Sequence, residues 1–118
     1  MFKLVSKKDA KRNAFAPGVV NYDYWESSQH DFSVVELTGR YPERGDVINE
    51  KATGLVYVIA GAGCIVINGE AYAVADGDFF VIPPGAAHHW EGNMQLSIVC
   101  TPPWTKEHHK MVEDVERG

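Results

Sequence analysis

The stretch Gly77-Asp78-Phe79-Phe80-Val81-Ile82-Pro83-Pro84-Gly85-Ala86-Ala87-His88 decides the reading of this chain. Gly77 and Asp78 make a turn, four apolar residues in a row form a short buried strand, and Pro83-Pro84-Gly85 bends the backbone sharply. The bend re-aims the next strand so that His88 faces inward, and Trp90, two residues on, shares that face. His89 lies between them and points the other way.

Working outward, the dominant period is two. Phe32–Leu37 reads as a strand ending at Thr38-Gly39. Leu55–Ala60 follows, and Gly61-Ala62-Gly63 reads as a tight connection to a hairpin partner, Cys64–Ile67. Asn68-Gly69 is a strong two-residue hairpin signal, and Glu70–Val74 runs back from it. Beyond the double proline, His88–Glu91 and Leu96–Cys100 are expected as two strands separated by Gly92-Asn93. Short strands at intervals of about ten residues point to an all-β barrel or sandwich. The ends differ. A helical turn is expected over residues 7–12 behind Ser6, and a C-terminal helix over residues 105–116, capped by Thr105 after Pro102-Pro103.

The stretch from Gly77 to His88 resembles the second motif of the cupin family: glycine, five residues, proline, any residue, glycine, two residues, histidine. The asparagine that the pattern expects four residues later is replaced by Gly92, with Asn93 following. The first cupin motif carries two histidines spaced HxH and a glutamate ahead of a closing glycine. Anchored on Gly61, the glutamate position falls on Gly54, and the histidine positions fall on Ile48 and Glu50 or on Val47 and Asn49. None is a histidine. The resemblance covers residues 32–101 and implies a single domain over 1–118: a cupin-like antiparallel β-barrel, or double-stranded jelly roll, with a short C-terminal helix. It also implies a homodimer, since small cupins pair through sheet edges.

Cupins with both motifs intact hold a divalent metal through three histidines and a glutamate. Here His88 is one candidate ligand, and Glu50 is a second if residues 50, 52 and 54 alternate onto one face. First-row metal sites need three or four placed donors, so no tightly bound metal is expected. The expected pocket is lined by His88, Trp90, Glu50, Val56 and Asn49, and His88 with Glu50 is the candidate acid–base pair. Tyr22, Tyr24 and Trp25 read as packing residues, Arg40 and Arg44 as loop arginines, and Trp104 as a plug at one barrel end. His108 and His109 read as the solvated face of the tail helix.

Composition bounds the function. With 45% hydrophobic and 23% charged residues, the 118-residue chain is not a disordered one. Its longest apolar runs fall far short of the ~20 residues a membrane span needs, and the start lacks the apolar stretch of a secretory signal. Residues 1–12 set five basic groups against Asp9 alone, so the remainder carries more than the whole formal charge of −5. An acidic body repels phosphate, and nucleic acid is not the expected partner. Cys64 and Cys100 sit in apolar runs without CxxC spacing and read as reduced core residues of a cytoplasmic protein, with a bridge between them left open. Three functions fit: a barrel pocket for a small polar organic ligand with the reaction undetermined; a metal-dependent cupin enzyme of dioxygenase, isomerase or lyase type with an atypical ligand set; or a non-catalytic dimeric binding or regulatory module.

Overall fold

The computed structural model describes residues 2–113. Nine strands run in chain order: β1 Lys11–Ala16, β2 Val19–Glu26, β3 Asp31–Tyr41, β4 Val47–Asn49, β5 Thr53–Ile67, β6 Glu70–Ala75, β7 Phe79–Ile82, β8 His88–Thr101 and β9 His109–Met111. The chain is all-β, a single curled sheet forming the cupin-like barrel that the resemblance implies. Among the described residues no helix is long and apolar enough to cross a membrane.

The architecture turns on β8, which pairs along its length with β3 on one side and β5 on the other. Its pairing with β3 runs without a shift from Asp31↔Cys100 to Tyr41↔Trp90. The sheet folds across this strand, and β1 and β2 extend one wall while β6 and β7 extend the other. β1 and β2 lie ahead of the first strand expected from sequence. On both walls the alternation of side chains sets what is inside: odd positions on β3, even positions on β8.

Gly61-Ala62-Gly63 is not a hairpin turn. β5 continues through it, and β8 likewise continues through Gly92-Asn93. The glycines are needed because the two strands approach closely there: Gly63 pairs with Gly92, and a Cβ on Gly63 would run into the Glu91 carbonyl. A register shift between Val58 and Ala60 adds one residue to β5. Gly54, Val56 and Val58 face inward before it, whereas the buried residue after it is the odd-numbered Ile65. At Asn68-Gly69 the turn forms as expected, with positive φ of 51° and 83°.

The ends depart from the helical reading. The first helical turn is a 3-10 turn over Lys7–Asp9, and Lys11 already begins β1. Of the helix expected over 105–116, Lys106–His108 form a 3-10 turn and His109–Met111 form β9. Val112 and Glu113 have α-helical backbone, and residues 114–116 lie outside the described ones. Thr105 makes no side-chain cap, while β4 offers an open edge on which the tail bonds in register, Val47↔Met111 through Asn49↔His109. Backbone bonds from Glu50 N to the His108 carbonyl (2.8 Å) and from Val112 N to the Asp46 carbonyl (2.9 Å) flank that ladder. Pairing an exposed edge outweighs weak local helix signals.

Candidate functional site

A cavity of about 210 Å³ opens inside the barrel. At roughly 30 Å³ per liquid water, that is room for about seven water molecules or one small organic molecule. Its floor is apolar: Val19, Leu37, Val56, Ile82 and Leu96 belong both to the lining and to the core beneath it. Polar side chains gather at two places above this floor.

The first group surrounds His88, which is 2% exposed at the start of β8. Its Nδ1 lies 2.9 Å from the Ala86 carbonyl, which can only accept, so Nδ1 carries the proton. Burial holds the pKa of the ring below its ordinary value and favours the neutral form. Nε2 is then a bare acceptor with no protein partner, and it opens on the cavity. Trp90 stands edge-on to His88, with ring centroids 5.9 Å apart, and leans on Phe80.

His109 enters the same space from β9. Its Nδ1 donates to Asn49 Oδ1 (2.6 Å), and its Nε2 accepts from the Tyr41 hydroxyl (2.7 Å). Burial, with a smaller contribution from His88, depresses this imidazole to about 4, so it is neutral near pH 7. Burial pushes the Tyr41 phenol up to about 12. The result is a chain, Tyr41 O–H to His109 to Asn49, in which each proton has one place. Phe15 and Trp104 pack against the Tyr41 and His109 rings at the mouth.

The second group is carboxylic. Asp23 on β2 accepts from Asn13 (2.8 Å) and Asn21 (2.6 Å), and burial raises its pKa. Asp31 on β3 accepts from the backbone N–H of Trp104 (2.9 Å) and of Cys100 (3.1 Å), and burial raises its pKa as well.

Of the residues expected at the pocket, His88, Trp90, Val56 and Asn49 line the cavity. Glu50 does not. β4 ends at Asn49 and the chain bends at residues 50 and 51, so strand parity does not carry through. The Glu50 carboxylate lies on the surface, 3.2 Å from His108 Nδ1 and 3.3 Å from Lys110 Nζ, and the His108 hydrogen bond lowers its pKa. The acid–base pair of His88 and Glu50 is therefore not formed, nor is their joint metal site. His109 takes the place assigned to Glu50: His108 closes the 3-10 turn and reaches Glu50, whereas His109 opens β9 and reaches Asn49.

Other expectations resolve similarly. His89 points away from His88 and meets Asp46 at 2.6 Å. His30 bonds the Trp25 indole, outside the cavity lining. Arg40 braces its own loop through the carbonyls of Pro42 and Gly45. Trp104 lines the cavity mouth, and Cys64 and Cys100 are unbridged thiols. Tyr41, His109, Asp23 and Asp31 are the residues that sequence reasoning missed. The alternation Asn13, Phe15 and Val19, Asn21, Asp23 was the available signal for the carboxylate end.

Among the described residues no three His, Cys, Asp or Glu side chains converge as a first-row cation requires. The two imidazoles use Nδ1 on oxygen acceptors, and His109 also commits Nε2 to Tyr41. This donor set does not fit the metal of the complete family motif.

A Cupin domain family model matches residues 44–102, half of the chain. The chain belongs to the cupin family. Uncharacterized protein MJ1618 of Methanocaldococcus jannaschii is 33% identical over 63 residues, and this cupin spans about half the length of that curated relative. Among solved structures, Pac13 of Streptomyces, determined with uridine and described as a nucleoside dehydratase, superposes with a TM-score of 0.85 at 18% identity over 95% of this chain and 92% of its own. The polyketide cyclase RemF of Streptomyces resistomycificus gives 0.77 at 17% identity, covering 95% and 86%. An RmlC-like cupin from Shewanella frigidimarina gives 0.75 at 15% identity, covering 91% and 95%. At these identities the likeness establishes the shared cupin fold, and its bearers include enzymes.

Proposed function

We propose that this cupin binds a small polar organic molecule in its barrel cavity and acts on it by proton transfer, without a tightly bound metal. The observation that carries the reading is the pair of neutral imidazoles, each held by its Nδ1–H, that line one cavity. His88 Nε2 is placed to take a proton from a bound molecule. Tyr41 can give one to a departing or developing oxygen by turning its O–H away from His109 Nε2, the acceptor that holds it in the resting chain. His88 taking a proton from carbon while Tyr41 gives its own to the neighbouring hydroxyl, so that the C–O bond breaks, a C=C bond forms and water leaves, is the balance of a dehydration. The same two groups serve an isomerisation by returning the proton to a neighbouring atom.

Two features support this assignment over a filled, purely structural barrel. The cavity holds a nearly fully buried histidine whose free nitrogen has no protein partner. The structurally similar proteins include a nucleoside dehydratase and a polyketide cyclase, whose names describe loss of water and ring closure.

The test is turnover of hydroxylated aldehydes, ketones and nucleosides by chelator-treated protein in deuterated water, read by NMR as deuterium incorporation or loss of water. Activity that survives chelation and falls about 10²–10⁴-fold in His88→Ala supports the reading. Activity that appears only with added divalent metal, or that His88→Ala leaves unchanged, overturns it.

A further inference from the structure

The cavity has one conspicuous bias: among the described residues, the carboxyl groups of Asp23 and Asp31 are its only formally charged side chains. Asp23 and Asp31 each take two hydrogen bonds from the protein, and an ionised carboxylate has about four lone-pair sites. In the same cavity His88 Nε2 is a bare acceptor, and Tyr41 at rest has its proton directed at His109 and its lone pairs free. His88 is 2% exposed, so its free nitrogen has only the cavity to address.

The charge at the carboxylate end has the same direction. No lysine or arginine lines the cavity among the described residues. Lys11, opposite Asp23 in the β1–β2 register, is exposed at the rim and is the cation that Asp23 feels. Against it stand Asp23, Asp31 and the nearby Glu26. A phosphate or carboxylate placed here would meet like charge in a partly desolvated space, where repulsion is only weakly screened. A hydroxyl or ammonium group would meet acceptors already held in place by Asn13, Asn21 and two backbone N–H groups.

Resting on the proposed binding function, we infer that the cavity takes a neutral or cationic ligand rich in hydrogen-bond donors, a polyhydroxylated or amino compound, and rejects its phosphorylated or carboxylated counterpart. The recognition element is the Asp23–Asp31 wall, and Trp104 joins it to the imidazoles that would carry the chemistry, its N–H on Asp31 and its ring against His109. Asp23 and Asp31 are binding residues in this assignment, and the apolar floor with Trp90 receives the flat or hydrocarbon part of the ligand.

The experiment uses the full chain and matched one-ring probes, benzyl alcohol, benzylamine and benzoate, with uridine and uridine 5′-monophosphate as a second matched pair. Binding is located by NMR shifts of the His88 and His109 rings and the Trp90 and Trp104 indoles. The alcohol, the amine and uridine are expected to move these signals, with benzoate and the monophosphate at least about tenfold weaker. Asp23→Asn is expected to narrow that gap. In the wild-type protein, which needs no variant to fold, benzylamine binding weakens with added salt while benzyl alcohol binding does not. Benzoate or the monophosphate binding in the cavity as tightly as its neutral partner overturns the ligand class and leaves the binding function standing. A failure of all five probes to move any of the four rings overturns both.

Discussion

The two polar ends of the cavity are built from opposite materials. Around β4, β8 and β9, with Tyr41 from the end of β3, the groups are imidazole, phenol and carboxamide: the Ala86 carbonyl fixes the proton of His88, and Asn49 and Tyr41 fix that of His109. Around β1, β2 and β3 they are carboxylates held by carboxamides and backbone N–H groups. Burial acts on both ends with opposite consequences: it pushes histidine pKa values down and aspartate pKa values up. Neutral imidazoles with fixed tautomers are suited to moving a proton. Carboxylates with spare lone pairs are suited to holding a ligand. On the proposed reading, one fold divides chemistry from recognition within a single cavity.

The sharpest way to break this division is to exchange groups at one end and read the other. Tyr41→Phe keeps the ring in its packing against Phe15 and removes the hydroxyl. Turnover should fall about 10²–10⁴-fold while the affinity for a neutral ligand changes little. A loss of affinity with kcat intact would place Tyr41 on the recognition side.

Acid should strike the imidazole end first. A histidine depressed from 6.5 to about 4 is neutral in the folded chain and protonated in the unfolded one between those values. Its contribution is fully present above about pH 6.5 and lost as pH falls through that window, for roughly 3 kcal/mol at most from His109. His88 shifts in the same direction and adds to the effect. The aspartates act oppositely: with folded pKa values raised, Asp23 and Asp31 favour folding once protonated. Urea melts of wild type and of the His109→Asn variant between pH 4 and pH 7 would separate the two, the variant losing less stability on acidification.

Asp23→Asn should change ligand preference by about tenfold without altering the pH dependence that the imidazoles impose. The smallest effect belongs to Glu50, whose hydrogen bond with His108 and ion pair with Lys110 lie on the surface. Glu50→Gln should leave ligand affinity and turnover unchanged. A clear loss of turnover in this variant would restore Glu50 to the site.

What was legible in the sequence follows from how local each signal is. The bend at Pro83-Pro84-Gly85 and the turn at Asn68-Gly69 are written in adjacent residues, and both form where expected. His88 and Trp90 share a face because nothing interrupts the strand between them. Parity failed for Glu50 because two bent residues lie between β4 and β5. The glycines at 61 and 63 signalled a turn, although their cause is the close crossing of β5 and β8. His109 was hidden because β9 exists only through its pairing with β4, some sixty residues away. Its site role depends on a contact that no local pattern records.

The central claim is that two neutral imidazoles, each protonated on Nδ1, face one cavity. A pH titration of the ¹⁵N-labelled histidine rings by long-range NMR correlation tests it directly. The account predicts that His88 and His109 both show the Nδ1–H tautomer at pH 7, with His109 titrating near 4 and both signals moving when a cavity ligand is added. An Nε2–H tautomer, or a midpoint near 6.5 for His109, would contradict it.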